Sequence, residues 1–118
     1  MPTLRAINIS RDQGLADDLK VAGNFFSSLI GLMGRRRFHR GEGLWITPCQ
    51  SIHTLWMRFS IDALFLDKDG TIVHLVENMK PFRASRHVAR ARGVLELPAE
   101  TVHLSGTCLG DRVQFLQG

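Results

Sequence analysis

A thiol and an imidazole lie four residues apart near the middle of the chain, at Cys49 and His53. In a turn or a helical arc the two could meet as a thiolate–imidazole pair, the arrangement that activates a cysteine nucleophile. Such a pair also needs an orienting group, and Asp62 is the nearest acid. A free cysteine is more often a small buried hydrophobe, however, and a histidine often shapes an irregular segment by bonding to the backbone. We therefore keep a small enzyme that uses Cys49 and His53 as an alternative and lean towards a protein without catalysis.

The charged residues Arg58 and Asp62 follow in the same segment, flanked by apolar residues. Because charges near a core need partners, we expect them to pair with each other or with Glu96. Glu96 needs a partner as well, since it stands inside the apolar run 94–97. The alternative is that Arg58 faces a cavity and holds the carboxylate or phosphate of a ligand.

The whole segment from Cys49 to Asp62 mixes ionisable and soft side chains with large apolar ones, which is the composition of ligand-binding clefts. Our leading hypothesis is a non-catalytic binding or accessory module that holds a small anionic ligand or an acidic partner here. The candidate ligand-binding residues are His53, Trp56, Arg58 and Asp62.

Metal and cofactor sites receive little support from the spacing of possible ligands. Cys49 and Cys108 form no C-x-x-C motif, and no histidine pair stands at a zinc spacing. The sequence DKDG at 67–70 resembles the opening of a calcium loop, but the later ligands are missing, so it predicts a hairpin turn. The soft and imidazole ligands that Cu(I) prefers occur in Met33, Met57, Cys49 and His53 together, yet methionine in apolar sequence is ordinary core filler. We expect no metal and no cofactor.

Positive charge is concentrated in two parts of the chain. The formal net charge is +4 and the pI is near 9.8, with basic clusters in residues 35–40 and 80–92. Such clusters are usually solvated loops, but they also attract phosphates and acidic surfaces. Association with nucleic acid or an acidic surface is therefore a third hypothesis. Nucleic acid is its weaker form, because the chain has no tyrosine to serve as a stacking surface for bases.

The length of 118 residues fits one compact domain over residues 1–118, which would bury about two-thirds of its unfolded surface. No apolar stretch is long enough to span a membrane, and the first fourteen residues contain no apolar core of a signal peptide. We expect a cytoplasmic monomer that does not associate with membranes.

Apolar runs bounded by turn residues predict several short strands. They cover residues 3–9, 19–22, 44–46, 61–66, 71–76, 93–97 and 112–116. The one long helix is expected within Asn24–Arg35, where apolar residues fall on one helical face, and a short helical turn is expected at 99–104. Residues 79–92 have no periodicity and predict an exposed, mobile loop. The fold class is α+β, with a small curled sheet or barrel and one main helix near the N-terminus.

The predicted core consists of large apolar residues on these faces and strands. They are Phe25, Phe26, Leu29, Trp45, Ile46, Leu64, Phe65, Val94, Leu97 and Val113.

Seven short motifs follow one another along the chain, each occurring once. They are GLM followed by R, G-x-G-L-W-I, S-I-H-T-x-x-M-R-F-x-I-D, F-L-D-x-D-G, K-P, L-E-L-P and G-D-x-V. From about Leu19 to Phe115 the chain resembles the uncharacterised bacterial and archaeal family called domain of unknown function 192. The resemblance implies a compact, strand-rich domain and no activity. Ser60 departs from the family, which usually has proline there. Relatives often carry an export segment, and we expect none here.

Overall fold

The computed structural model describes residues 4–22, 37–55 and 57–117. In these ranges the chain forms seven strands and one five-residue helix. They are β1 (Leu4–Asn8), β2 (Gln13–Ala22), β3 (Glu42–Ile46), β4 (Ile61–Leu66), β5 (Ile72–Met79), β6 (Gly93–Pro98), α1 (Thr101–Ser105) and β7 (Val113–Gln117). All seven predicted strands are present, and β2 and β5 extend beyond their predicted ends. The predicted helix Asn24–Arg35 lies outside the described residues, and the helix that is described lies near the C-terminus.

The seven strands form one sheet in the order β5-β4-β6-β3-β2-β1-β7. Neighbouring strands are antiparallel except β2 and β3, which run parallel. The two edge strands approach each other at one end, where Thr71 and Arg112 form a bridge. Ile72 N–H also donates to the carbonyl of Asp111 at 2.8 Å, and Val113 N–H donates to the carbonyl of Gly70 at 2.9 Å. The sheet therefore curls into a half-barrel, as predicted.

The hairpin turn before β5 makes this approach possible. Asp67 Oδ1 accepts the backbone N–H groups of Asp69 and Thr71 at 2.9 and 3.0 Å, so the carboxylate shapes the turn, which is the predicted role. Gly70 has φ +82°, and a Cβ at this position would clash with the carbonyl oxygen of Val113. Glycine is required here both for the left-handed backbone and for the close approach of β7.

Two apolar clusters cover the two faces of the sheet, because successive strand residues point to opposite faces. The inner cluster includes Leu64, Leu66, Leu95 and Leu97, together with residues of β1, β2, β5 and β7. The outer cluster includes Ile46, Ile61, Ala63, Phe65 and Val94. Strands β4 and β6 are buried at every position, which explains their nearly continuous apolar sequence.

Six of the predicted core residues are buried as expected: Ile46, Leu64, Phe65, Val94, Leu97 and Val113. Trp45 is half-buried instead, and its ring lies against Gly93 and 4.9 Å from the ring of Phe115. Phe25, Phe26 and Leu29 lie outside the described residues.

A second layer, which we call the outer ribbon, covers the outer cluster. It consists of residues 49–55 running antiparallel to residues 80–92. Backbone N–H groups of Val88, Ser85 and Thr54 donate to the carbonyls of Gln50, Ile52 and Arg83, each at 2.8 Å. The side chains of Ile52 and Val88 are buried beneath it. Residues 80–92 form the predicted exposed loop, with exposed basic side chains, but the backbone of this loop is paired with residues 49–55. Its mobility stays a prediction.

Candidate functional site

Thr54 fixes the end of the outer ribbon. Its hydroxyl donates to the carbonyl of Lys80 at 2.6 Å and accepts the N–H of Arg83 at 2.9 Å. Its backbone donates to the carbonyl of Arg83 and accepts the N–H of Phe82. The side chain is fully buried. The sequence motif around His53 thus contains a structural threonine, whose role depends on a partner segment more than twenty residues away.

Cys49 and His53 both lie in segment 49–55 of the outer ribbon, and their side chains form hydrogen bonds with different groups. The Cys49 thiol donates to the carbonyl of Ser51 at 3.0 Å, and His53 Nδ1 accepts the N–H of Leu55 at 3.4 Å. His53 is half-buried and pairs with Ala84 through the backbone. Burial raises the pKa of the Cys49 thiol, and the hydrogen bond to Ser51 only partly opposes that shift. These environments favour a neutral thiol, which is the less nucleophilic form.

The expected ion pair between Arg58 and Asp62 is not formed. Arg58 is exposed, whereas Asp62 is fully buried. The two carboxylate oxygens of Asp62 accept the backbone N–H groups of Asn78 at 2.8 Å and Val102 at 2.7 Å. Burial raises the pKa of Asp62, and these hydrogen bonds oppose that shift. Asp62 points to the inner face at the start of β4, and there it joins β4 to β5 and α1.

Glu96 is the most unusual ionisable residue among those described. It lies on the outer face of β6 between Leu44 of β3 and Ala63 of β4, and 2% of it is exposed. Oε2 has no hydrogen-bond partner, and burial raises the pKa to about 8. The expected pairing of Glu96 with Arg58 or Asp62 is therefore wrong as well. A carboxyl with this pKa is mostly protonated at neutral pH, so the outer cluster contains little negative charge.

A cleft opens where the segment Cys49–Asp62 reaches the sheet. We call it the cationic cleft; its volume is about 540 Å³, and it is lined by residues 37–40, Phe59, Ser60, Pro98 and Ala99. The lining contains two arginines and a histidine, and no carboxylate among the described side chains. Phe38 and Phe59 lie side by side with their ring centroids 5.8 Å apart, and both pack on the outer cluster.

The predicted site residues thus lie in different environments. The described ligand candidates are half-buried His53 in the outer ribbon, exposed Arg58, and buried Asp62. Trp56 lies outside the described residues. The sequence did not predict Phe38 or His39 as part of the site, although the basic cluster at 35–40 was noted, and Phe59 and Ser60 were included only as part of the segment Cys49–Asp62. The sequence does not show that these residues meet, because residues 37–40 and 59–60 are separated along the chain by β3 and by segment 49–55 of the outer ribbon.

In the described ranges, no group of three or more His, Cys, Asp or Glu side chains is placed to hold a metal ion. No helix within those ranges is long and apolar enough to cross a membrane.

The sequence matches the model of the domain of unknown function 192 family, described as uncharacterised ACR, over residues 7–115. The chain belongs to this family, for which the description gives no activity. A UPF0127 protein of Pyrococcus furiosus is 26% identical over 114 residues, covering 92% of this chain and 96% of that protein. A UPF0127 protein of Pyrococcus horikoshii is 29% identical over 114 residues with the same coverage.

Two solved structures share the fold. A proposed transcription regulator from Sinorhizobium meliloti superimposes with a TM-score of 0.79 at 28% identity, covering 97% of this chain and 92% of that one. A protein of unknown function from Novosphingobium aromaticivorans also has a TM-score of 0.79, at 18% identity, covering 97% and 84% of the two chains. The second likeness concerns the fold alone.

Proposed function

We propose that this protein is a non-catalytic binding module that holds a small anionic ligand in the cationic cleft. The observation that carries the proposal is the lining of that cleft, which combines Arg37, His39 and Arg40 with two phenylalanines and contains no described carboxylate. Arginine binds carboxylates and phosphates with paired, charge-assisted hydrogen bonds. An anion would therefore meet positively charged donors here, and none of the described lining side chains is an acid.

The two phenylalanines favour a ligand with an apolar part. Phe38 and Phe59 are half-buried against the outer cluster, so their inner sides are fixed by packing while the cleft borders them from outside. A volume of about 540 Å³ is in the range of small-molecule sites, which combine an apolar wall with a few placed polar groups. The favoured ligand is a small ring or short chain that carries a carboxylate or phosphate.

The segment predicted from the sequence contributes to this cleft through its C-terminal end. Phe59 and Ser60 line it directly, and the exposed Arg58 precedes them. The upstream residues of the segment belong to the outer ribbon. The binding function is thus retained from the sequence hypothesis, while the centre of the proposed site moves from His53 towards residues 37–40.

The enzyme hypothesis requires Cys49 as a thiolate and Asp62 as an orienting acid, and the environments of both residues favour a role without catalysis. The pKa of the Cys49 thiol is raised above its usual value, chiefly by burial. Asp62, the candidate orienting acid, lies on the inner face of the sheet with both oxygens bonded to backbone N–H groups.

The test is calorimetric titration of the protein with phenyl phosphate and with inorganic phosphate. Phenyl phosphate should bind more tightly, because its ring can pack on Phe38 and Phe59. The double variant Arg37→Gln/Arg40→Gln should weaken phenyl phosphate binding by about tenfold or more, since hydrogen bonds to charged groups contribute roughly 1.5–3 kcal/mol each. The matched control Arg83→Gln/Arg86→Gln removes equal charge from the outer ribbon. Equal losses in the two double variants would contradict the proposal.

The description of the Sinorhizobium meliloti relative as a proposed transcription regulator favours DNA as a second candidate ligand. The basic clusters could contact phosphates without reading sequence. Within the described residues the longest helix has five residues, which is too short for a recognition helix in the major groove. Binding of duplex DNA that falls steeply with added salt and is lost in Arg83→Gln/Arg86→Gln would favour this candidate over the small anion.

A further inference from the structure

The end of the outer ribbon displays an aromatic side chain from a strained backbone. Phe82 has φ +60°, a left-handed conformation that bulky residues rarely adopt. The residue is 56% exposed. Strained residues that persist in a structure are held by their surroundings and often mark sites of interaction.

Thr54 provides the contacts that hold this conformation. Its hydroxyl bonds to the carbonyl of Lys80 and to the N–H of Arg83, on the two sides of Phe82. Its carbonyl accepts the N–H of Phe82 itself at 3.0 Å. Because Thr54 is fully buried, water does not compete with these hydrogen bonds. The turn at 80–83 is therefore fixed by buried hydrogen bonds, with Phe82 exposed at the surface.

A second exposed apolar side chain and two cations lie close to Phe82 along the ribbon, and three further cations follow towards its other end. Leu55, which follows Thr54, is 43% exposed. We call residues 54–55 and 80–83 the ribbon tip. Lys80 and Arg83 are exposed within it, and Arg86, Arg90 and Arg92 are exposed along the same strand of the ribbon. Residues 49–55 and 80–92 contain five Lys or Arg residues and no Asp or Glu.

We propose that the ribbon tip is a docking surface for an anionic lipid bilayer, with Phe82 and Leu55 entering the headgroup region and the basic residues facing the lipid phosphates. Aromatic and aliphatic side chains beside cations are the combination that binds anionic interfaces. Contact of this kind needs no membrane-spanning helix, and it replaces the expectation from the sequence that the protein does not associate with membranes.

The size of the apolar surface favours a lipid over an acidic protein. A stable protein–protein interface buries roughly 800 Å² on each partner around a central apolar cluster. Among the described residues at this end of the ribbon, the two exposed apolar side chains supply much less than that. Partitioning into a bilayer requires no matching surface, since each apolar group contributes on its own and each nearby cation adds to the attraction.

The experiment is co-sedimentation of the full chain with vesicles of phosphatidylcholine alone and with vesicles of equal parts phosphatidylcholine and phosphatidylglycerol. The protein should bind the mixed vesicles and not the neutral ones, and added salt should weaken binding.

Phe82→Asn should reduce binding about tenfold, the ratio expected for the loss of one buried aromatic ring. Asparagine tolerates the left-handed backbone, so thermal stability should be equal or higher. Leu109→Asn, at a site 63% exposed in the turn before β7, should leave binding unchanged.

The proposal is overturned if the protein does not bind the mixed vesicles, or if Phe82→Asn binds them as tightly as the parent. Equally tight binding to polyglutamate with the same dependence on Phe82 would assign the tip to an acidic protein instead. The variant Arg37→Gln/Arg40→Gln keeps the ribbon tip and should still bind vesicles. Loss of vesicle binding in Arg37→Gln/Arg40→Gln would place the lipid contact at the cationic cleft. The proposals for the cleft and for the ribbon tip can therefore be overturned independently.

Discussion

The carboxylate of Asp62 accepts the backbone N–H of Val102 at 2.7 Å, a hydrogen bond between residues forty positions apart. It connects the first turn of α1 to the start of β4, and the other oxygen of Asp62 connects β4 to Asn78 at the end of β5. A residue expected to face a ligand is therefore the link between three elements of the fold.

Replacement of Asp62 by asparagine should destabilise the protein by about 2–3 kcal/mol. The amide places an N–H group against one of the two backbone N–H donors, so at least one buried hydrogen bond is lost and a donor is left unsatisfied. Denaturant unfolding measures the loss. Asp69→Asn is the matched control, because Asp69 is exposed in the hairpin turn. Equal stabilities for the two variants would show that the Asp62 hydrogen bonds add little.

Glu96 should make stability decrease with rising pH. The pKa of Glu96 is about 8 in the folded protein against a reference of 4.5, so the folded state holds the proton more tightly. The favourable contribution is complete below pH 4.5 and is lost as pH rises through about 8, at up to about 1.4 kcal/mol per pH unit. Glu96→Gln should flatten this dependence in denaturant unfolding across the same range. An unchanged slope in the variant would assign the pH dependence to other groups.

Iodoacetamide should modify Cys108 before Cys49 at neutral pH. Cys108 is exposed, whereas Cys49 is half-buried and its thiol has a pKa raised mainly by burial. Mass spectrometry of the peptides gives the order of labelling, and denatured protein, in which both thiols react alike, is the control. Faster labelling of Cys49 would revive the enzyme hypothesis, because an activated thiolate would then be present.

Gly70→Ala should destabilise the half-barrel more than Gly110→Ala. Both glycines have positive φ, +82° and +90°, so both variants pay for backbone strain. At Gly70 the new methyl group also meets the carbonyl of Val113, whereas nothing lies within 4 Å of a Cβ at Gly110. Thermal unfolding should show a larger loss of stability for Gly70→Ala than for Gly110→Ala, by about 1 kcal/mol. Equal decreases would mean that the edge strands do not need this close approach.

The strands were predictable because their signals are local. The run Ile61–Leu66 gave β4 with its observed ends, since a strand buried on both faces needs apolar residues throughout and Asp67–Gly70 ends it. The turn chemistry of Asp67 and Gly70 is local for the same reason. These features depend on residues within a few positions of one another.

The outer ribbon and the cationic cleft could not be predicted, because they depend on backbone contacts between distant segments. Residues 79–92 have no periodicity, yet their N–H and carbonyl groups pair with residues 49–55. The four-residue spacing of Arg58 and Asp62 was also misleading. Because β4 begins between them, Asp62 points to the inner face of the sheet while Arg58 stays outside the strand. Glu96 was recognised as needing a partner, but its position between Leu44 and Ala63 follows only from strand order.

The most direct test of the central claim, anion binding in the cationic cleft, is an NMR titration of backbone amides with phenyl phosphate. Binding there predicts shift changes that saturate together at residues 37–40, Phe59, Ser60 and Ala99, with residues 49–55 and 80–92 unaffected. Changes confined to the outer ribbon, or no saturable change at residues 37–40, would contradict the assignment of this cleft as the ligand site.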